Sequence, residues 1–319
     1  MAYTRLSDAN EITARYMDSI LIQERLIDSV VADTTTTLLG EKFDSPVLTP
    51  AFSHLKNYDG RELTGLEEYS VAAKESNILN FVGMMENDQF KKIVATGAKT
   101  VRIVKPYADN SKVRDQFKFA EDNGAFGIGM DIDHIFGMTG YDICVGEEMT
   151  AQTQDMLASY ISASKLPFVV KGVLSVADAV KSAEAGARAI IVSHHHGRVP
   201  YAVPPMMILP EIKKALEDRN VQIFVDCGIA SGADVYKALA LGADAAAVGR
   251  SMLPSLEKEG VPGVKKFLKE VNDELRFIMS STGFSKVVDI DASSLRGAKQ
   301  VYPELVEGWQ STLIEKALL

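Results

Sequence analysis

Two rhythms of apolar and polar positions run along this chain. Short runs with few polar interruptions, such as FVV at 168–170, AIIV at 189–192 and IFV at 223–225, alternate with longer stretches whose apolar residues fall three or four apart. Continuous apolar runs suit strands covered on both faces, and the three-to-four spacing suits helices that cover them. The pattern predicts strands at Pro46–Thr49, Ile78–Val82, Thr100–Val104, Phe126–Asp131, Phe168–Lys171, Ala189–Ser193, Gln222–Asp226 and Ala245–Gly249. It predicts helices at Gly65–Ser76, Asp88–Thr96, Ser111–Asn123, Ala151–Ser164, Val176–Ala185, Met207–Glu217, Gly232–Leu241 and Val264–Met279. Gly-Ala steps at 97–98, 124–125, 186–187 and 242–243 stop a helix just before a strand, as glycine C-caps do. Strict alternation of strand and helix predicts an α/β fold, a closed (β/α)8 TIM barrel rather than a doubly wound sheet.

The expected organisation is one domain: an N-terminal cap over 1–45, a barrel over 46–295, and a tail over 296–319 patterned as one more amphipathic helix. A barrel of roughly 250 residues fits inside the chain's 319. The net charge of −9 argues against a general nucleic-acid or anionic-membrane binder, which needs a basic surface. Cys144 and Cys227 stand far apart and outside any CxxC spacing, as free thiols in a reducing compartment do. No apolar run reaches the roughly 20 residues that span a bilayer, and the first residues lack the apolar core of a signal peptide. A cytoplasmic protein is expected.

In this fold the active site forms where the strands end, and phosphates often sit after strands 7 and 8. Strand 7 runs into Asp226-Cys227-Gly228-Ile229-Ala230-Ser231-Gly232, and strand 8 into Gly249-Arg250. Gly228 and Gly232 allow backbone N–H groups close to an anion, Gly232 by opening a helix. Arg250 adds a fork matched to phosphate oxygens. Strand 6 ends in Ser193-His194-His195-His196-Gly197-Arg198. Three adjacent histidines seldom turn to one ion, so no metal is expected; one histidine should face the site while its neighbours turn away. Lys171 ends a buried strand and needs a partner: a carboxylate, a cofactor carbonyl, or a carbonyl substrate held as a Schiff base. Asp131 and Asp133 flank the end of strand 4, and strand alternation suggests that only one of them faces the site.

From about Arg25 to Leu295 the sequence resembles the FMN-dependent α-hydroxy acid oxidases and dehydrogenases, the family of glycolate and lactate oxidase. The likeness is strongest in PFVVKGVLSVADAVKSAEAGARAIIVSHHHGR, LPEIKKAL and VQIFVDCGIASGADVYKALALGADAAAVGR, and extends to RLIDSVVADTTTTLLG and PVLTPAF. The resemblance implies FMN as cofactor and a small-molecule carboxylate as substrate, oxidised by removal of a proton and transfer of a hydride to flavin N5. It places His195 as the base, Arg198 as the carboxylate clamp, Asp133 as the aspartate behind the histidine, and Lys171 beside the flavin N1–C2=O edge. Pro50, Ala51, Ser193, Asp226, Gly228, Gly249 and Arg250 join Lys171 as cofactor contacts. It also implies a homo-oligomer, a tetramer or larger.

The sequence departs from that pattern in places. Ala230 stands where the family's strand 7 loop has arginine, and the loop after strand 4 is short for the family. Neither substrate tyrosine is matched; near the second, Arg102-Ile103-Val104 precedes Lys105-Pro106-Tyr107. Substrate recognition is therefore expected to differ more than cofactor binding. Other readings are an FMN-dependent reductase or isomerase acting on a phosphorylated substrate, a lyase using Lys171 as a Schiff base, and a flavoprotein without catalysis.

Overall fold

The computed structural model describes residues 7–53, 55 and 57–297. The helix expected in the tail lies outside these described residues. Eight parallel strands run through the chain: β1 (Val47–Leu48), β2 (Asn80–Val82), β3 (Thr100–Val104), β4 (Gly127–Asp131), β5 (Phe168–Val173), β6 (Ala189–Val192), β7 (Gln222–Val225) and β8 (Ala245–Ala247). They follow the order β1-β8-β7-β6-β5-β4-β3-β2, each hydrogen-bonded to the next. The seam between β1 and β2 is joined by the Thr49 amide to the Leu79 carbonyl (3.4 Å), the Phe81 amide to Thr49 Oγ1 (2.7 Å) and the Gly83 amide to the Phe52 carbonyl (2.8 Å). The sheet is thus the (β/α)8 barrel that the alternation predicts.

Helices α1 (Gly65–Glu75), α2 (Asn87–Ala95), α3 (Asn110–Asp122), α4 (Gln154–Ser162), α5 (Val176–Glu184), α6 (Pro205–Ala215), α7 (Gly232–Ala240) and α8 (Val261–Ser281) wrap the strands. Their starts follow from local chemistry: Thr64 and Ser231 form reciprocal capping boxes with Glu67 and Asp234, and Thr153 and Ser175 cap α4 and α5.

Strand parity sorts the core. Leu48, Phe81, Val101, Ile103, Val169, Ile191, Phe224, Ala245 and Ala247 fill the barrel interior, and the side chains between them pack against the helices. A hairpin of Thr36–Leu38 and Glu41–Phe43 plugs the N-terminal mouth, adding Leu38 and Phe43 to the interior. Gln222, at the start of β7, fastens the plug by accepting from the Leu39 amide (2.7 Å) and donating to the Thr37 carbonyl (3.0 Å).

The rest of the N-terminal segment, expected as a cap, reaches the far end of the barrel. The helix Ala9–Asp18 lies at the opposite mouth, where Thr13 Oγ1 meets His194 Nε2 (2.9 Å) and Asn10 Nδ2 donates to the His196 carbonyl (3.1 Å). Strand Ile20–Ile22 then pairs antiparallel with Leu295–Gly297, so the expected boundary after Leu295 falls inside a strand. The loop after β4, expected to be short, is built up into two small hairpins, Phe136–Gly137 with Gly140–Tyr141 and Ile143–Cys144 with Glu147–Glu148. Among the described residues no helix is long and apolar enough to cross a membrane.

Candidate active site

The inward parity that fills the barrel continues past its apolar layers to the C-terminal strand ends. Two residues beyond Ile103 comes Lys105, two beyond Gly129 comes Asp131, two beyond Val169 comes Lys171, and two beyond Phe224 comes Asp226. All four are drawn into one ionic cluster. Lys105 Nζ donates to Asp131 Oδ2 at 2.6 Å, Lys171 Nζ donates to Asp131 Oδ1 at 3.2 Å, and Lys171 lies 3.7 Å from Asp226 Oδ2. Burial by itself would raise the Asp131 carboxyl, but the two ammonium groups and His195 hold it well below the usual carboxylate range. Burial likewise disfavours the Lys171 ammonium, yet Asp131, Asp226 and Asp133 keep it charged. A lysine so held is a poor amine nucleophile, which counts against Schiff-base chemistry there.

Gly129 allows this layer to close, because a Cβ at that position would overlap the Val169 carbonyl. Arg102 has the opposite parity. It points into the helix layer, donating to Asn87 Oδ1 and the Met85 carbonyl (both 3.0 Å) with its guanidinium over Phe90. The expectation that Arg102 lies near the substrate is therefore corrected, and Lys105 alone of the pair reaches the site.

The loop after β6 presents His195. It turns in left-handed backbone at His195 (φ 45°), His196 (61°) and Gly197 (76°), and the His195 amide is tied to Ser193 Oγ at 3.0 Å. Non-glycine residues in this region carry strain that the surroundings must hold in place. His195 Nδ1 lies 2.7 Å from Asp133 Oδ1 and 3.4 Å from Asp131 Oδ1. Both aspartates thus converge on the histidine, against the expectation that one would turn away, because β4 ends at Asp131 and alternation no longer governs Asp133. Burial lowers the proton affinity of His195, but the charge of Asp131 and hydrogen bonds donated to both carboxylates outweigh it, so its pKa is raised. Burial and the neighbouring Asp131 raise the Asp133 carboxyl. Asp133 Oδ2 is buried without a hydrogen-bond partner among the described residues. Gly172 (φ 91°) makes room for this pair, since a Cβ there would overlap the Asp133 carboxyl group.

Of the other two histidines, His194 turns away from the site, whereas His196, expected to turn away, also lines the cleft. His194 is buried, accepting the Gly197 amide on Nδ1 (3.0 Å) with Nε2 against Thr13. His196 meets Asn10 Oδ1 (2.9 Å) and Arg250 Nη1 (3.1 Å). Asp131, His134 and His195 offer three donor atoms within 4.8 Å of one another. Both Asp131 oxygens are already engaged by lysines, which makes the trio a poor metal site.

Lys105, His134, His195 and His196 line a cleft of about 520 Å³ together with Pro50, Ala51, Lys171, Asp226, Gly228, Gly249 and Arg250. Phe52 and Met84 add an apolar wall, and Ile229 and Ala230 continue the β7 loop. Most of the expected cofactor contacts are thus brought together. Ser193 is not in the wall; it sits buried behind, against Cys227 Sγ at 3.6 Å. Asp133 stands behind His195. Arg198 is also outside the wall: its Nη2 donates to Asp142 Oδ2 (2.9 Å) and to the Phe136 carbonyl (2.8 Å). Gly232, expected to aim a helix start at an anion, instead gives its amide to Glu274 Oε2 (2.7 Å) and packs on the α8 backbone. The anion-binding features that do face the cleft are Gly228 (φ 83°), open space at the Cβ position of Gly249, and Arg250. Arg250 bonds Asn10 and His196 but no carboxylate among the described residues. Such an uncompensated guanidinium beside two glycine turns suits a phosphate.

Sequence reasoning left His134 unremarked. It comes from the hairpin loop after β4, accepts Lys105 Nζ on Nδ1 (2.8 Å) and faces Asp142 Oδ2 through Nε2 (3.0 Å). Burial, Lys105, Arg198 and His195 hold its pKa down to about 4, so its ring is neutral near pH 7. The helix Ala9–Asp18, which supplies Asn10 to Arg250 and His196, was likewise not placed at the site. Its amphipathic pattern says that it packs on the barrel but not at which end.

A (β/α)8 barrel with a histidine–aspartate pair, a buried lysine cluster and a glycine–arginine anion cradle at one mouth is a scaffold for proton transfer beside a phosphorylated group. Comparison with known proteins narrows this class. Residues 137–297, about half of the chain, match the family described as FMN-dependent dehydrogenase, and the chain belongs to that family. It is 42% identical over 153 residues to an L-lactate oxidase of Roseobacter sp. strain GAI101, covering 48% of this chain and 41% of that protein. It is 28% identical over 320 residues to a glycolate oxidase of Spinacia oleracea, covering 86% and 84% of the two chains. A crystal structure of mandelate oxidase superposes with a TM-score of 0.80 at 25% identity, covering 91% of this chain and 90% of that one. The match to the lactate oxidase spans less than half of that enzyme's length.

Proposed function

We propose that this protein is an FMN-dependent oxidoreductase that converts a 2-hydroxy acid to the corresponding 2-oxo acid. The observation that carries the reading is His195, in the wall of a cleft that also holds Lys171 and the Gly228, Gly249 and Arg250 cradle, with Asp133 behind it at 2.7 Å. FMN, when bound, supplies a two-electron acceptor. Gly228, Gly249 and Arg250 would hold its phosphate, Asp226 its ribityl chain, Pro50 and Ala51 its ring face, and Lys171 would place positive charge beside it. The cleft volume lies within the roughly 300–1,000 Å³ of small-molecule sites.

His195 works as the base. With Nδ1–H donated to Asp133, Nε2 carries the lone pair that accepts a proton from the substrate. Asp133 and Asp131 then stabilise the imidazolium that results, and Asp133 fixes the ring's tautomer. Among relatives, the names lactate oxidase and glycolate oxidase support a small hydroxy acid as substrate. We also propose that the chain is a single domain, cytoplasmic and a homo-oligomer, a tetramer or larger. The resemblance supports the oligomer, and two unpaired cysteines support a reducing compartment.

The test is product formation. With a panel of 2-hydroxy acids, the FMN-loaded protein is expected to yield a 2-oxo acid from at least one. His195→Ala should lower kcat by about 10²–10⁴-fold while leaving FMN bound. Formation of product at an undiminished rate by that variant would overturn the assignment of the base.

A further inference from the structure

Among the described residues, Arg250 is the permanent cation of the glycine cradle, and Ala230 stands in the β7 loop where the family has a further arginine. A phosphate monoester carries about −1.5 to −2 near pH 7, so one guanidinium leaves part of that charge unmatched. The lysines in the cleft wall are engaged, Lys105 at 2.6 Å and Lys171 at 3.2 Å from Asp131. The wall residue that bonds Arg250 is His196, whose Nε2 lies 3.1 Å from Nη1.

Asn10 sets the proton on that ring. Its Nδ2 donates to Asp8 Oδ1 (2.8 Å) and to the His196 carbonyl (3.1 Å), which turns its oxygen to Arg250 Nη2 and His196 Nδ1, both at 2.9 Å. An amide oxygen only accepts, so Nδ1 carries the hydrogen; a guanidinium only donates, so Nε2 keeps its lone pair. The ring is neutral in this arrangement. Burial, Arg250 and His195 lower its proton affinity, and Asp8 opposes them. Its other neighbours bring no charge: burial holds His194 down, and burial pushes the Cys227 thiol, which meets the His196 amide, up to about 12. The backbone at His196 is left-handed (φ 61°), a conformation that costs a histidine energy and that the Asn10 bond to its carbonyl holds in place.

We propose that His196 is a second ligand of the FMN phosphate and takes a proton from solvent onto Nε2 when the phosphate binds. This rests on the reading of Gly228, Gly249 and Arg250 as the phosphate cradle. An anion that engages Arg250 Nη1 withdraws the donor that Nε2 accepts in its absence. The same anion favours the imidazolium, whose added Nε2–H is a charged donor suited to a phosphate oxygen. The Nδ1–H bond to Asn10 serves both states, so the ring need not turn. A titratable histidine thus replaces the arginine missing at Ala230, and the grip on the cofactor becomes pH-dependent. A group neutral in the empty cleft and charged beside the phosphate adds affinity below its pKa in the complex. That affinity is lost as pH rises through this value.

The test titrates the full chain, freed of flavin, with FMN and with riboflavin, which lacks the phosphate, and reads binding from flavin fluorescence. At pH 7 the wild type is expected to prefer FMN by at least ~10-fold. From pH 7 to 9, above the phosphate's own titration at about 6, the preference should shrink at least ~3-fold. Titration of His195 bears on the ring system that both flavins share and cancels in the ratio. In His196→Gly, which relaxes the backbone, and His196→Asn, which tolerates it, the preference at pH 7 should be at least ~5-fold lower. It should then stay constant to pH 9 within about 2-fold, with riboflavin binding unchanged. A wild-type preference that is flat from pH 7 to 9, or variants that keep the full preference, would overturn the proposal and leave the cradle in place. A wild type that binds riboflavin as tightly as FMN, or takes up neither, would overturn the cradle as well.

Discussion

At the scale of single residues, the site works by holding opposed charges at fixed separations, and its titration follows from that. His195 is surrounded by carboxylates, so its proton affinity is raised even though burial opposes the charged form. A raised pKa keeps the ring protonated to higher pH, and a protonated base cannot accept the substrate's proton. We therefore expect kcat/KM to fall as pH drops through a value above 6.5, the ordinary histidine value. Asp133→Asn should move that limb toward acid by removing one hydrogen bond to the charged ring. A limb at or below 6.5 in the wild type would contradict this account. His134 adds no limb near neutrality, because its pKa is held down to about 4.

Much of this arrangement is legible in the sequence through strand parity. Ile103, Val169, Ile191 and Phe224 are the interior residues, and a step of two from each reaches Lys105, Lys171, Ser193 and Asp226. Arg102 lies three positions before Lys105, an odd offset that sends it to the helix layer. Parity stops where a strand stops, however, and Asp133 lies two residues past the end of β4. Its convergence with Asp131 on His195 depends on loop conformation, which carries no periodic signal. The diversion of Arg198 to Asp142 is hidden for the same reason, since both residues lie on irregular loops 56 positions apart.

At the scale of elements, alternation located all eight strands and all eight barrel helices to within a few residues of their ends. Local capping chemistry and continuous apolar runs are properties of the chain itself, independent of its tertiary partners. Elements whose placement depends on docking were not legible: the helix Ala9–Asp18 at the mouth, the paired strands Ile20–Ile22 and Leu295–Gly297, and the hairpins after β4. Gly232 illustrates the difference. A glycine opening a helix after a strand reads as an anion site, yet here it permits α7 to lie against the α8 backbone.

Gly172 acts at this scale too, joining β5 to the loop that holds Asp133. Its positive φ and the crowding of its Cβ position by Asp133 mean that a methyl group must displace the carboxylate. We expect Gly172→Ala to cost about 1 kcal/mol of stability from the backbone conformation. The loss of activity should be larger, about 10²-fold, because the base loses its support. Chemical denaturation and steady-state kinetics on one preparation check both. A variant with normal kinetics would show that Asp133 does not position His195.

For the whole molecule, the barrel and the site are linked by ligand binding. FMN that binds only the folded chain stabilises it by RT ln(1 + [L]/Kd), about 2.7 kcal/mol at one hundred times Kd. For a chain of this size that amounts to a rise in Tm of roughly 4 °C. Arg250→Ala removes the guanidinium that has no carboxylate partner among the described residues. The variant is expected to need more FMN for the same rise, with the Tm of the apoprotein changed by no more than about 2 °C. A full response at wild-type FMN concentrations would place the phosphate elsewhere.

The measurement that bears most directly on the central claim is the absorbance of the FMN-loaded protein under anaerobic conditions as 2-hydroxy acids are added one by one. We expect the flavin band near 450 nm (roughly, for oxidised flavin) to bleach with at least one of them, and His195→Ala to slow that bleaching by at least about 10²-fold. A protein that binds FMN at full occupancy and is bleached by none of them would contradict the assigned reaction. Failure to take up FMN at all would contradict the reading of the cleft itself.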